Sequence, residues 1–302
     1  MKNKRSLFLC MVLLVSMLSG CAASTKEQGG QDAALPRKPE RVVILNTEAL
    51  ELFYQLGGTA IGRASAPGTP VPEAARSVEE VGQINEVSME KIASLKPDLV
   101  IGQPFFHAGL KDALAAVGVP LVLVQIESVE DIRKAAKQFG QLLGKEAEAD
   151  KAIKDMDDRI DAIVSKLPDE SPSYAALTIM PMGVSLQKSG SLAVDIADRL
   201  NMKNVAESMP SGQMPSSVPY SIEKLIEADP DYLFLIVHGT EEYGRKQLKE
   251  ELEQNPAWAS LRAVKEKRMV FLPADFVNVP GLHVDRAFAH LAKIVYPKAF
   301  GQ

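Results

Sequence analysis

"SMEKIASLKPDLVIG" (residues 88–102) and "SIEKLIEADPDYLFLI" (residues 221–236) are two copies of one unit within a chain of 302 residues. Ser88/Ser221, Glu90/Glu223, Lys91/Lys224, Pro97/Pro230 and Asp98/Asp231 are identical, each pair offset by 133. Each copy reads as a capped helix feeding a buried strand. The serines suit the N-cap, where a hydroxyl accepts a free backbone N–H. Glu90 and Glu223 stand in the first turn, against the positive end of the helix dipole. Each Pro-Asp stops the helix and opens an apolar run. Capping chemistry explains most of the repeat. Two exposed acids at equivalent places also suit a two-sided contact with a two-part partner.

Around the copies, apolar runs alternate with amphipathic stretches. "RVVILN" (41–46), "TAIGRA" (59–64), "DLVIG" (98–102) and "PLVLVQ" (120–125) read as strands. "TEALELFYQLG" (47–57) and "SVEDIRKAAKQFGQLLG" (128–144) read as helices between and after them. The pattern restarts with strand "YAALTIM" (174–180), helix "SLAVDIADRL" (191–200), strand "RMVFLP" (268–273) and helix "VDRAFAHLAKIVY" (284–296). Such alternation predicts mainly parallel sheets. Between the halves, residues 145–167 carry Ile153, Met156, Ile160, Ile163 and Leu167 at spacings of three and four among charges. That is one long helix with a narrow apolar stripe, closed by Pro168. The expected architecture is α/β: two lobes, 39–144 and 169–302, joined by a linker helix over 145–168.

The first residues are separate. Lys2, Lys4 and Arg5 precede an apolar run from Leu7 to Leu18 that is short for a membrane span, so residues 1–20 read as a secretory signal. Leu18-Ser19-Gly20-Cys21 resembles the lipobox of bacterial lipoproteins, which implies that Cys21 carries lipid. Residues 21–38 then form a small, polar tether. The other cysteine, Cys10, falls inside the signal, so no internal disulfide is expected. Losing the three signal bases takes the net charge from −5 to −8, which argues against nucleic acid as a partner. Lipid, not a basic face, would then hold the protein at the membrane.

Ligands of open α/β sheets bind beyond the carboxyl ends of the strands. There the two copies lead to "QPFFHAG" with His107 and "VHGTEEYG" with His238. The chain has four histidines, so two at paired strand ends stand out. His283 lies in the loop after the last strand, and His290 within the last helix. Met180 and Met182 end a strand, where a thioether can meet an apolar ligand or a metal. Arg63, after the second strand, is a candidate partner for an anionic chelate. No Walker loop, HExxH, nucleophile elbow or CxxC pair occurs. An exported enzyme with His238 or His107 as general base is the weaker alternative, and no catalytic cofactor is expected.

With two α/β lobes, one linking helix, a lipobox and S-x-E-K-[IL]…PD in each lobe, the chain resembles the substrate-binding lipoproteins of iron-siderophore, haem and cobalamin ABC importers. "RVVILNTEALELFYQLGG", "VGQINEVSMEKIASLKPDLVIG" and "NPAWASLRAVKEKRMVFLP" carry the resemblance, which covers the mature chain. It implies a periplasmic-binding-protein-like fold of the helical-backbone type, with no enzymatic activity. It also implies a monomer outside the cytoplasm, anchored to the membrane, serving a permease dimer and its ATPase. In that family a glutamate of each lobe meets arginines of the permease, a role that falls here to Glu90 and Glu223. Lobe two is most similar to the haem-binding lipoproteins of iron-regulated surface systems. There a His of an HG pair after this strand holds the haem iron, which places that role on His238. Their second ligand is a Met where this chain has Ile84. The resemblance therefore leaves His107, a cleft methionine such as Met182, or no residue as the second ligand. Haem is the expected cargo, with a ferric siderophore or cobalamin as the alternative.

Overall fold

The computed structural model describes residues 38–181, 183–274 and 281–301. The expected signal, Cys21 and all of the tether before Lys38 lie outside the described residues, as does Met182. The described strands are β1 (Val42–Ile44), β2 (Gly62–Ser65), β3 (Glu79–Gln83), β4 (Glu86–Val87), β5 (Leu99–Gly102) and β6 (Leu121–Leu123) in the first half. In the second half come β7 (Ser173–Met180), β8 (Gly183–Gln187), β9 (Lys203–Asn204), β10 (Ser217–Pro219), β11 (Tyr232–Val237) and β12 (Met269–Phe271). They form two sheets, ordered β4-β3-β2-β1-β5-β6 and β10-β8-β7-β11-β12, with β9 also pairing β7. Both are mainly parallel; β4, β8 and β10 enter antiparallel pairs.

Helices fill the crossovers: α1 (Thr47–Gln55), α2 (Met89–Ser94), α3 (Pro104–His107), α4 (Lys111–Ala116) and α5 (Val129–Leu143) in lobe one. Lobe two holds α7 (Leu192–Arg199), α8 (Ile222–Ala228), α9 (Glu241–Gln247), α10 (Arg262–Lys265), α11 (Asp285–Val295) and α12 (Pro297–Phe300). Between the lobes runs α6 (Glu146–Val164), 19 residues or about 28 Å long.

The strands alternate between two packed faces. Val43 and Leu45 face a core that includes Ile92 and Leu114 on the α2/α4 side of lobe one. Ala175, Leu177, Leu233 and Leu235 face a core around Trp258 in lobe two. The third cluster is continuous through both lobes. It joins Val42, Ile44 and Ile101 of the first sheet to Tyr174 and Phe234 of the second and to Phe288 of α11. Ala149, Ile153, Met156 and Ile160 of α6 are buried in it. The apolar stripe of the linker is thus shared core.

In the repeated unit, Ser88 Oγ accepts the Lys91 N–H (3.2 Å) and Ser221 Oγ accepts the Lys224 N–H (3.3 Å). The repeated aspartates have a role that capping does not explain. Asp98 accepts the N–H groups of Glu40 (2.7 Å) and Arg41 (3.0 Å), just before β1, the strand paired with β5. Asp231 accepts the N–H and hydroxyl of Ser173 (both 2.8 Å) at the start of β7, the strand paired with β11. Each aspartate pins the entry of its own strand to that of its parallel neighbour, satisfying donors that no ladder partner reaches.

Burial works against ionisation of Asp231, but hydrogen bonds from Ser173 and the charges of Arg262 and Arg268 outweigh it and hold its pKa below the ordinary value. A carboxyl with a depressed folded pKa contributes stability above its unfolded pKa and loses it as pH falls through the folded one. Asp231→Asn is therefore expected to lower the unfolding free energy by about 1–3 kcal/mol at pH 7. Denaturant titrations across pH should show the gap closing in acid. A gap independent of pH would refute the ionised clamp.

Candidate functional site at the facing strand edges

In lobe one, the connections from β1 and from β5 leave in opposite directions, to β2 and to β6. The β1/β5 boundary is the topological switch point, where loops part and leave a crevice. The carboxyl edges of the two sheets face each other. Gly68, in the loop after β2, lies against Gly239, in the loop after β11, so closely that a Cβ on Gly68 would overlap the Gly239 carbonyl. Further contacts fix the lobes elsewhere. The Val129 N–H donates to Asp195 (2.9 Å), the Leu282 N–H to Gln55 (2.6 Å), and Arg159 to the Leu282 carbonyl (2.7 Å).

His238 is the first residue beyond β11. Its N–H donates to the Ile179 carbonyl (3.0 Å), which anchors its backbone to the end of β7. The side chain is reachable by solvent, yet partly enclosed by protein. That enclosure disfavours the imidazolium and lowers its pKa. A neutral imidazole keeps a lone pair for a metal or a hydrogen-bond donor.

In lobe one, α3 begins at the end of β5 and presents Phe105 and Phe106, 80% and 41% exposed. Their rings stand edge to face, with centroids 4.9 Å apart. Two adjacent phenylalanines left in water at a switch point are an unpaid hydrophobic contact that an apolar ligand can complete. The pair is visible in the sequence as "QPFFHAG"; the sequence reading passed over it for the neighbouring histidine.

Several expected site residues are instead structural. His107 is 1% exposed and does not reach the cleft. Its Nδ1 accepts the Gln103 N–H (2.9 Å), which assigns the proton of the neutral ring to Nε2, and burial lowers its pKa. A ring so placed has no exposed lone pair for iron. Arg63 is 8% exposed and committed within lobe one: Nε donates to the Ala75 carbonyl (3.2 Å) and Nη1 pairs with Glu80 (3.4 Å). It offers no free charge to an anionic chelate. Ile84 sits in the turn between β3 and β4, its N–H on the Ser65 carbonyl (2.8 Å), and an aliphatic chain there has no donor atom for a metal. His283 is exposed, but its turn (Gly281–His283) is tied to Gln55 of α1 and Arg159 of α6.

Glu90 and Glu223 are both exposed in the first turns of α2 and α8. The Ser221 hydroxyl donates to Glu223 (2.8 Å). The backbone N–H of Glu223 itself, then Ser221, hold that carboxyl below its ordinary pKa.

The sequence reading also missed Glu48, two residues beyond the N-cap Asn46 at the end of β1. Its Oε2 is buried without a hydrogen-bond partner. Burial, with the charge of Glu127 second, pushes its pKa up to about 8. An acid directly after a strand edge was the available signal.

Among the described residues, no group of three or more His, Cys, Asp or Glu side chains is arranged to hold a bare metal ion. The model of the periplasmic binding protein family matches residues 42–276. The chain is 26% identical to the putative ABC transporter substrate-binding lipoprotein YhfQ of Bacillus subtilis, over 97% of this chain and 94% of that one. It is 26% identical to the Fe(3+) dicitrate-binding periplasmic protein FecB of Escherichia coli, over 90% and 88%. Its fold is similar to the crystal structure of Staphylococcus aureus IsdE complexed with heme, with a TM-score of 0.74 at 20% identity, covering 85% of this chain and 98% of that one.

The acid at the end of β1 makes a pH prediction. The folded pKa of Glu48 lies above its unfolded value near 4.5, so the folded state holds the proton more tightly. Its contribution then falls as pH rises from about 4.5 to about 8. Glu48→Gln, which mimics the protonated acid, should be more stable than the wild type at pH 8 and nearly equal to it at pH 5. Thermal melts at both values read the difference, and equal gaps at both would contradict the buried acid.

Proposed function

The chain belongs to the periplasmic binding protein family, and we propose that it is the extracytoplasmic binding protein of an ABC importer for an iron-bearing ligand, haem foremost. The names of its relatives support the importer and the iron. The observation that carries haem is His238: a neutral, solvent-reachable imidazole at the edge of lobe two that faces lobe one. Haem brings its own four-nitrogen coordination and needs from the protein an axial donor and apolar walls. His238 supplies the donor. Phe105 and Phe106 supply apolar surface for a flat macrocycle. For the second axial position Ile84 has no donor atom and His107 is buried, which leaves a cleft methionine such as Met182, outside the described residues, or no protein ligand.

The chain binds its cargo and hands it on unchanged. Lobes 39–144 and 169–302 grip it from two sides, and helix 145–168 limits how far they part. Glu90 and Glu223 dock the two lobes onto a permease whose ATPase drives transport. Cys21, lipidated after removal of residues 1–20, tethers the protein to the membrane through residues 21–38.

Purified protein titrated with haemin should develop a Soret band that shifts or vanishes in His238→Ala. A protein that stays colourless refutes haem; fluorescence quenching by ferric siderophores or by cobalamin would reassign the cargo. Charge reversal in Glu90→Lys/Glu223→Lys touches only exposed side chains, so the fold should persist, with some loss of stability at the two helix N-termini that thermal melts would read. Haemin binding should persist in that variant while uptake through the reconstituted permease is lost. Undiminished uptake would remove the docking role.

A further inference from the structure

At Gly68 and Gly239 the two strand edges approach each other without side chains. Gly68 and Gly239 both have positive φ, 77° and 145°, and their backbones meet across the lobes. A Cβ on Gly68 would fall inside the Gly239 carbonyl and lie 3.0 Å from the Thr240 nitrogen. A Cβ on Gly239 would meet only Tyr243 of its own lobe, at 3.2 Å. Backbone φ favours glycine at both positions, but the clash across the lobes is one-sided: the missing side chain of Gly68 is what lets lobe one close onto the residue next to His238.

We propose that Gly68 and Gly239 form an interlobe clamp that sets the width of the cleft at His238 and retains the ligand there. Backbone contact at this point holds lobe one at a fixed distance from the imidazole. A thin, flat chelate can occupy the remaining gap with the clamp shut, whereas a globular chelate must hold it open. The ligand class rests on the haem reading above; the clamp itself does not.

The test compares Gly68→Ala with Gly118→Ala. Gly118 has nearly the same φ, 74°, but nothing within 4 Å of where its Cβ would stand, so it reproduces the backbone strain without the clash. Interlobe distance in the ligand-free protein is read by pulsed dipolar spectroscopy. Labels go on the exposed positions Asp112→Cys and Lys249→Cys in a Cys10→Ser/Cys21→Ser chain. Gly68→Ala should shift the distribution to longer distances, and Gly118→Ala should not. Haemin transfer to excess apomyoglobin should be about tenfold faster from Gly68→Ala only. Circular dichroism and thermal melts confirm that both variants fold. A wild-type distance in Gly68→Ala, or equal opening in Gly118→Ala, overturns the clamp. If haemin does not bind at all, the haem reading fails while the distance measurement still decides the clamp. If Gly68→Ala opens the lobes without speeding haemin loss, the retention role is overturned.

Discussion

The burial of one stripe of α6 governs this molecule. Ala149, Ile153, Met156 and Ile160 stand in a core that already contains strand residues of both sheets. Two lobes joined by a strand or a loop can swing apart at little cost. Here a wide swing would expose apolar surface from α1, α5, α6, α7 and α11 together, at roughly 25 cal/mol per Å². The ties from Val129 to Asp195, from Gln55 to Leu282 and from Arg159 to Asp285 add direction to that constraint. Small adjustments at the facing edges are what such a frame allows.

Given that frame, chemistry concentrates at the strand edges because the central strands are packed on both faces. The edge residues divide by environment. His107 and Arg63 have backbone partners and little exposure, so they hold loops in place. His238, Phe105 and Phe106 lack such commitments and are open to a ligand. In the proposed reading, one imidazole and two phenyl rings make a sparse but coherent site for a cargo that carries its own metal coordination.

The repeated unit serves each lobe in three ways. Its serine caps a helix, its glutamate stays in solvent, and its aspartate pins two parallel strands at their entries. The last role was not legible in the sequence. The Pro-Asp pair marked a helix end, but its acceptors bind backbone groups 57 or 58 residues earlier. Such a partner is found only once the strands are paired. The antiparallel strands β4, β8 and β10 were missed for a related reason: they are short and partly exposed, and carry no continuous apolar run.

Local pattern determined most of the parallel strands, though not β3 or β9, together with the caps and the stripe of the linker helix, because each follows from periodicity and from residues a few positions apart. It also marked both strand ends where histidines gather. Which of those histidines stays open to solvent was decided only by tertiary structure. Burial and hydrogen bonding depend on what other segments bring to the ring. Gln103 holds His107 by its Nδ1, while His238 stays exposed among the described residues. The same holds for Gly68, an ordinary loop glycine until the other lobe arrives against it.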